Sequence, residues 1–214
     1  MKNKLLTIFE KLYAAYGPQH WWPAETPLEM MIGAILVQNT NWRNVEKAIS
    51  RLKPYLTPEK LNALSPEELA VLIRPSGFYR LKSKRIKALL EWLETYDFQI
   101  EQLKRMDQSE LREQLLSVNG VGKETADSIL VYAFEKRVFI VDAYTRRIFY
   151  RIGIDLPGHY DVFREEVEKL LPQDIQIYSE FHALLVKHAK TFCKKKPLCG
   201  NCPLKDLCKQ RTDN

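Results

Sequence analysis

The chain has 214 residues, 45% of them hydrophobic and 28% charged, with a formal net charge of +6. That length suits one large core or two small ones. No apolar run reaches the length of a membrane span, and no repeat or low-complexity segment stands out. The basic balance, with a pI near 9.0, suits an anionic partner such as nucleic acid.

Residues 3–16 read as an amphipathic helix, with Leu5, Leu6, Ile8, Phe9, Leu12 and Tyr13 on helical spacing, ending at Gly17-Pro18. Glu10 and Lys11 interrupt its apolar face and no cleavage site follows, so a cytoplasmic protein rather than a secreted one is expected. Gln19-His20-Trp21-Trp22-Pro23 is a dense aromatic loop. Thr26-Pro27-Leu28-Glu29 sets cap, first-turn proline and carboxylate in order, a helix start. Gln38-Asn39-Thr40 interrupts that helix, and Trp42, Val45, Ile49 and Leu52 form the next stripe. Ser65-Pro66-Glu67-Glu68 opens another helix, closed at Arg74-Pro75-Ser76-Gly77. Residues 78–96 form a long basic helix, and Asp107-Gln108-Ser109-Glu110 caps the one that follows. A short strand-like piece is expected at 138–141, and helices at 143–151, 163–171 and 178–189. The pattern predicts an all-α fold.

The stretch 115–142 organises the rest. Two amphipathic runs flank Asn119-Gly120-Val121-Gly122-Lys123. The glycines allow a tight turn at the mouth of a helix, where unpaired N–H groups and Lys123 suit a phosphate. A purely structural hairpin fits the same five residues. Asp142 stands where an N-cap for the next helix belongs, and a capping carboxylate can still present an oxygen to a substrate.

NGVGKETAD, the apolar run after it and VDAYTRRIFYRIG, with the QNT segment, SGFY and the terminal cysteines, resemble the endonuclease III superfamily of DNA glycosylases. The resemblance implies a helix–hairpin–helix in which Gly120, Val121, Gly122, Lys123 and Thr125 meet the DNA backbone. It makes Asp142 the catalytic carboxylate, stabilising an oxocarbenium-like sugar as the N-glycosidic bond breaks. Gln38 and Phe78 fall where the family fills the gap left by an extruded base. Arg80, Lys82, Lys84, Arg85 and Lys87 follow at once. Such a run reads as a solvated face, part of which meets phosphates. His20, His182, Lys187 and His188 are read first as packing residues.

Two departures narrow the chemistry. Bifunctional members carry a lysine nucleophile directly before the Thr-Ala step, where this chain has Glu124, so no Schiff base is expected. Adenine-mismatch enzymes place a glutamate four residues before their glutamine, and here Ala34 stands there. A base made cationic by alkylation needs less protonation, and the electron-rich faces of Trp21 and Trp22 attract cations. WWP, GAILVQNT, RPSGFY and GKETAD resemble the 3-methyladenine glycosylase branch known from Helicobacter, which implies that Trp21, Trp22 and Pro23 contact the extruded base. Packing of the N-terminal helix is the alternative for the two indoles.

Cys193, Cys199, Cys202 and Cys208 are spaced C-x5-C-x2-C-x5-C. Four thiolates so placed satisfy a [4Fe–4S] cluster or a tetrahedral zinc ion. The superfamily's terminal motif holds [4Fe–4S], although its first gap is one residue longer. Lys190, Lys194, Lys195 and Lys196 lie around it as candidate phosphate contacts.

The expectation is a two-lobed helix–hairpin–helix glycosylase fold. A helical barrel lobe covers 23–135, and a second lobe covers 1–22 plus 136–214 with its cluster loop at 193–208. The expected function is monofunctional excision of an alkylated purine from damaged double-stranded DNA, by a monomer. The alternatives are an endonuclease III-like enzyme for damaged pyrimidines or mismatches with weak lyase activity, and a non-catalytic DNA-binding module.

Overall fold

A computed structural model describes residues 2–210. The described residues are helical and contain no strand, in agreement with the all-α expectation, and none of their helices is long and apolar enough to cross a membrane. The chain divides into two compact units, residues 22–136 and residues 1–21 with 137–214.

In the unit 22–136, α2 (Pro27–Leu36) is the buried centre. Thr26 caps it by accepting the Glu29 amide at 3.1 Å, and nearly all its side chains are buried. A helix that is apolar all round has to be covered all round, and α2 packs against α3 (Trp42–Leu52), α6 (Tyr79–Glu94) and α9 (Lys123–Tyr132). Between α3 and α6 lie α4 (Pro58–Ala63) and α5 (Pro66–Leu72), the latter opened by a reciprocal Ser65–Glu68 capping box. After α6 come α7 (Ile100–Arg105) and α8 (Gln108–Ser117), whose cap is Asp107. The sequence reading did not contain α4 and α7. Each has six residues, too few to show a helical period, although Thr57-Pro58-Glu59 carries the cap pattern.

The other unit packs α1 (Lys2–Tyr16), α10 (Ala143–Ile152), α11 (Tyr160–Leu170) and α12 (Ile175–Thr191). Leu5, Ile8 and Leu12 of α1 meet Phe149, Phe163, Phe181 and Leu184 in its core. The expected strand-like piece at 138–141 is buried but has no partner strand among the described residues. Two of its amides are taken by side chains instead: Phe139 N donates to Glu168 Oε1 at 2.8 Å and Val141 N to Tyr160 Oη at 3.4 Å.

Lys82 is the internal bolt of the unit 22–136. It is 1% exposed, and its Nζ donates to Leu36 O at 2.8 Å and Ser76 O at 2.7 Å. One side chain thus ties the end of α2, just before Gln38, to the turn before Phe78. Burial, helped by the charge of Arg85, pushes its ammonium down to about 8 from 10.5. Between those pH values the unfolded chain binds the extra proton, so stability from this group rises as pH rises through that window. Lys82→Met leaves two buried carbonyls without their donor. It should cost about 1–3 kcal/mol at neutral pH and lose the alkaline rise, as urea unfolding across that window would show.

Candidate functional site

The hairpin is built from α8, α9 and the turn between them. Arg112 on α8 forks onto Asp127 on α9, Nε to Oδ1 at 2.6 Å and Nη2 to Oδ2 at 3.2 Å, and the Asp127 side chain is fully buried. In the turn, buried Val121 donates its amide to Val118 O at 3.0 Å. Gly120 has φ +88°, and a Cβ there would lie 2.2 Å from Cγ of Arg85. Glycine is therefore required twice, for its backbone angle and for the side chain that crosses it. Gly122 is the N-cap of α9 and brings no side chain to cap it. A helix N-terminus with a lysine at its first position suits an oxyanion.

Gln38 sits against this turn. Its Nε2 donates to Gly120 O at 3.1 Å and to Thr125 Oγ1 at 3.0 Å, and its Oε1 accepts from Arg85 Nη1. The basic run on α6 is therefore not one solvated face. Lys82 is buried, Arg85 lies half-buried on the hairpin, and Lys87 donates to Leu61 O and Asn62 O at 3.0 and 2.9 Å. Arg80 and Lys84 are exposed. Phe78 is 64% exposed although φ is +46°, and Leu81, one turn on, is exposed beside it in sequence. A bulky residue held left-handed is strained. Here that strain presents an aromatic ring to solvent.

A cavity of about 370 Å³ opens in the same unit, lined by Trp22, Pro23, Gly33, Trp42, Glu25, Glu29, Glu46 and Lys53 among others. Trp22 stands edge-on to Trp42 at 5.2 Å between centroids and packs against Tyr132 of α9 at 5.6 Å. Glu25 pairs with Lys53 at 2.6 Å. Three carboxylates against one ammonium leave the lining negative. Of Trp21, Trp22 and Pro23, the residues expected at the extruded base, Trp22 and Pro23 line this cavity; Trp42, which lines it too, reads in the sequence only as a stripe residue. Its place four residues after Gln38 was the available signal. Trp21 belongs to the other unit, where Lys190 Nζ lies 5.9 Å from its ring centroid.

Asp142 is the N-cap of α10 and is 7% exposed. Its Oδ1 accepts the Thr145 amide at 2.7 Å, and Oδ2 lies 3.5 Å from Nε2 of His182, which is itself buried on α12. Burial pushes the carboxyl up, but His182 and the Thr145 amide outweigh it and hold it below its ordinary value. A depressed carboxyl stabilises the fold above its ordinary pKa and loses that contribution as pH falls through the folded one. In the sequence His182 reads as a packing residue, because the forty positions separating it from Asp142 hide the contact. Removing the imidazole leaves burial as the main influence. His182→Phe should therefore raise the Asp142 carboxyl, which carbon NMR of labelled aspartate would register as a titration at higher pH.

The four cysteines are free and ring a cavity of about 400 Å³ with Arg151, His188 and Leu204. Among the described residues no three His, Cys, Asp or Glu side chains converge on one metal ion. Four thiolates lining one cavity suit a metal centre such as an iron–sulfur cluster. Donors point at them: Arg151 Nη1 lies 3.6 Å from Cys193 Sγ, and Gln210 N lies 3.3 Å from Cys208 Sγ. His188 Nδ1 bonds Tyr16 Oη at 2.8 Å, while Nε2 lies 3.7 Å from Cys202 Sγ. Burial pushes His188 down to about 4, so the ring is neutral, and burial pushes Tyr16 up to about 12, so it keeps its proton to donate. With Tyr16 donating to Nδ1, the ring carries its proton on Nε2, toward the Cys202 sulfur. Arg151 also donates to Lys194 O and Lys195 O at 2.6 and 3.2 Å, pinning the loop to α10. Lys194, Lys195 and Lys196 are exposed.

Comparison with known proteins follows the same two features. Residues 32–173 match the HhH-GPD superfamily base excision DNA repair protein family, and residues 194–208 match the iron-sulfur binding domain of endonuclease III. The cysteine loop thus holds a [4Fe–4S] cluster, with Cys193, just outside the match, brought to the same cavity as the other three. A protein of Methanocaldococcus jannaschii named "Putative DNA repair glycosylase MJ1434" is 50% identical, over 97% of this chain and 99% of its own. The crystal structure of H. pylori 3-methyladenine DNA glycosylase (MagIII) bound to 1,N6-ethenoadenine superposes with a TM-score of 0.75 at 30% identity, covering 87% of this chain and 97% of its own. A trapped endonuclease III–DNA covalent intermediate superposes with a TM-score of 0.84 at 25% identity, covering 98% and 96%.

Proposed function

We propose, for a chain that belongs to the HhH-GPD superfamily of base excision DNA repair proteins and is a DNA glycosylase, that its substrate is an alkylated purine and that it leaves the resulting abasic site uncut. The pocket around Trp22 and Trp42 carries this reading. Two indoles wall it, Pro23 closes it, and Glu25, Glu29 and Glu46 against Lys53 leave it negative. A purine alkylated on the ring is cationic. A desolvated indole face favours such a cation by about 2 kcal/mol, and the carboxylates add to that preference. A neutral damaged pyrimidine gains neither. The likeness to a glycosylase crystallised with a modified adenine supports the same substrate class.

Asp142 supplies the chemistry in this reading. Its carboxylate is kept ionised by His182 and the Thr145 amide. A fixed negative charge of that kind stabilises the positive sugar that forms as the N-glycosidic bond lengthens. An alkylated base leaves as a neutral species, so no general acid is needed for it. Gly120, Gly122, Lys123 and Thr125 serve the DNA backbone, while Val121, buried and with its amide on Val118 O, holds the turn's shape instead of meeting a phosphate, and Gln38 with Phe78 fills the gap once the base is out. With all four cysteines as its ligands, the cluster leaves no open iron site for a substrate.

The second reading is an endonuclease III-like enzyme for damaged pyrimidines, favoured by the likeness to a trapped covalent intermediate. Against it stands Glu124, an exposed carboxylate at the second position of α9, where a lyase needs an amine.

A single-turnover panel of 3-methyladenine, 7-methylguanine, hypoxanthine, thymine glycol and mismatch duplexes tests the substrate class. The cationic purines should be cut fastest, and borohydride should trap no covalent adduct. Efficient trapping, or a preference for thymine glycol, would overturn the proposal. Glu29→Gln should slow excision of 7-methylguanine roughly tenfold, or about 1.4 kcal/mol, with less effect on neutral hypoxanthine. Asp142→Asn should abolish excision while lesion binding, measured by fluorescence anisotropy, persists. A variant that still excised the base would remove Asp142 from the mechanism.

A further inference from the structure

Gln38 has a side chain whose polar atoms are all engaged. Its two amide hydrogens serve Gly120 O and Thr125 Oγ1, and its oxygen accepts from Arg85. Arginine has donors only, so the amide can face just one way, oxygen toward Arg85 and nitrogen toward the hairpin. Arg85 arrives there from the second turn of α6 by crossing the backbone of Gly120. A Cβ at position 120 would sit 2.2 Å from its Cγ, 2.4 Å from its Cδ and 2.6 Å from its Nε. The turn is therefore shaped around this one side chain. Arg85 Nε is buried on the turn with no hydrogen-bond partner among the described residues.

We propose that Arg85 is a positioning residue: it braces Gln38 against the hairpin, so that the gap-filling side chain and the backbone-gripping turn move as one piece. The proposal rests on the reading of Gln38 as the residue that fills the duplex. Glutamine is among the side chains with the most rotamer freedom to lose. A free glutamine would lose it on meeting DNA, whereas a braced one has lost it already, on folding. Preorganisation of this kind raises affinity without adding a contact to the ligand. Arg85 has no need to touch DNA for this effect, which separates it from the phosphate-contacting role that its charge suggests. Thr125 gains a second meaning as well, because its hydroxyl receives the amide that Arg85 has oriented.

The test uses the full, cluster-loaded chain and a duplex with a non-cleavable abasic analogue opposite 2-aminopurine. Such a duplex needs no excision, so the outcome does not depend on which base the enzyme removes. Binding affinity, its salt dependence and the fluorescence of the orphan base are measured for wild type, Gln38→Ala, Arg85→Met, Arg85→Lys and the double variant Gln38→Ala/Arg85→Met. Methionine keeps the stem over Gly120 and removes the donors, while lysine keeps a donor and the charge. Arg85→Met should weaken binding roughly tenfold, the scale of one lost charge-assisted hydrogen bond, and should release the orphan-base fluorescence as Gln38→Ala does. The double variant should be no worse than Gln38→Ala, Arg85→Lys should recover most of the loss, and the salt slope should stay that of wild type. Additive losses, or a salt slope reduced by about one phosphate contact, would overturn the proposal and make Arg85 a direct DNA ligand. Arg85→Lys as weak as Arg85→Met would overturn it too. If Gln38→Ala itself has no effect, the gap-filling reading falls and the proposal falls with it. If only Arg85→Met has no effect, the proposal falls alone.

Discussion

The fork between Arg112 and Asp127 is the contact on which the hairpin depends. Asp127 is fully buried on α9, and both its oxygens are held by one guanidinium from α8. Removing one partner of a buried pair costs about 3–5 kcal/mol, because the other charge is stranded without water. The pair joins two ten-residue helices across their short connecting turn, so that turn and ion pair together hold α8 against α9. With the two helices so held, Gly120 meets the stem of Arg85, and the side chains of Gln38 and Thr125 meet each other.

The basic residues of α6 show how little a row of like charges says by itself. Five cations lie between positions 80 and 87. Lys82 holds two carbonyls inside the core, Arg85 crosses the hairpin turn, and Lys87 closes the end of α4. Arg80 and Lys84 remain in solvent, where they serve the net positive charge and thus the attraction of a polyanion. The helix divides its cations according to which face each neighbour covers.

The legible parts of the sequence were those whose chemistry is local. Thr26-Pro27, Ser65-Pro66 and Asp107 are caps that act within three residues, and each opens a helix in the structure. The paired glycines of the hairpin and the four cysteines announce themselves by spacing. What stayed hidden were contacts closed by the fold. Trp42 reads as a stripe residue until Trp22 is brought edge-on to it. His182 reads as packing until α12 carries it to Asp142. Residues 138–141 look like a strand because an extended apolar run encodes extension but not a partner, and Glu168 and Tyr160 take the partner's place. Gln38 and Phe78 stand out only through the resemblance, since neither residue type draws notice by itself.

Helix α10 carries unlike cargo at its two ends. Its N-cap is the carboxylate of Asp142, and its last turn holds Arg151, whose guanidinium pins the cysteine loop through the carbonyls of Lys194 and Lys195. Ten residues of helix span only about 15 Å, and a helix that short transmits a tilt without bending. The iron–sulfur loop is therefore a footing for the carboxylate. The supply of iron thus bears on more than the loop: a chain without its cluster loosens the segment that Arg151 holds, and with it one end of the short beam that begins at Asp142.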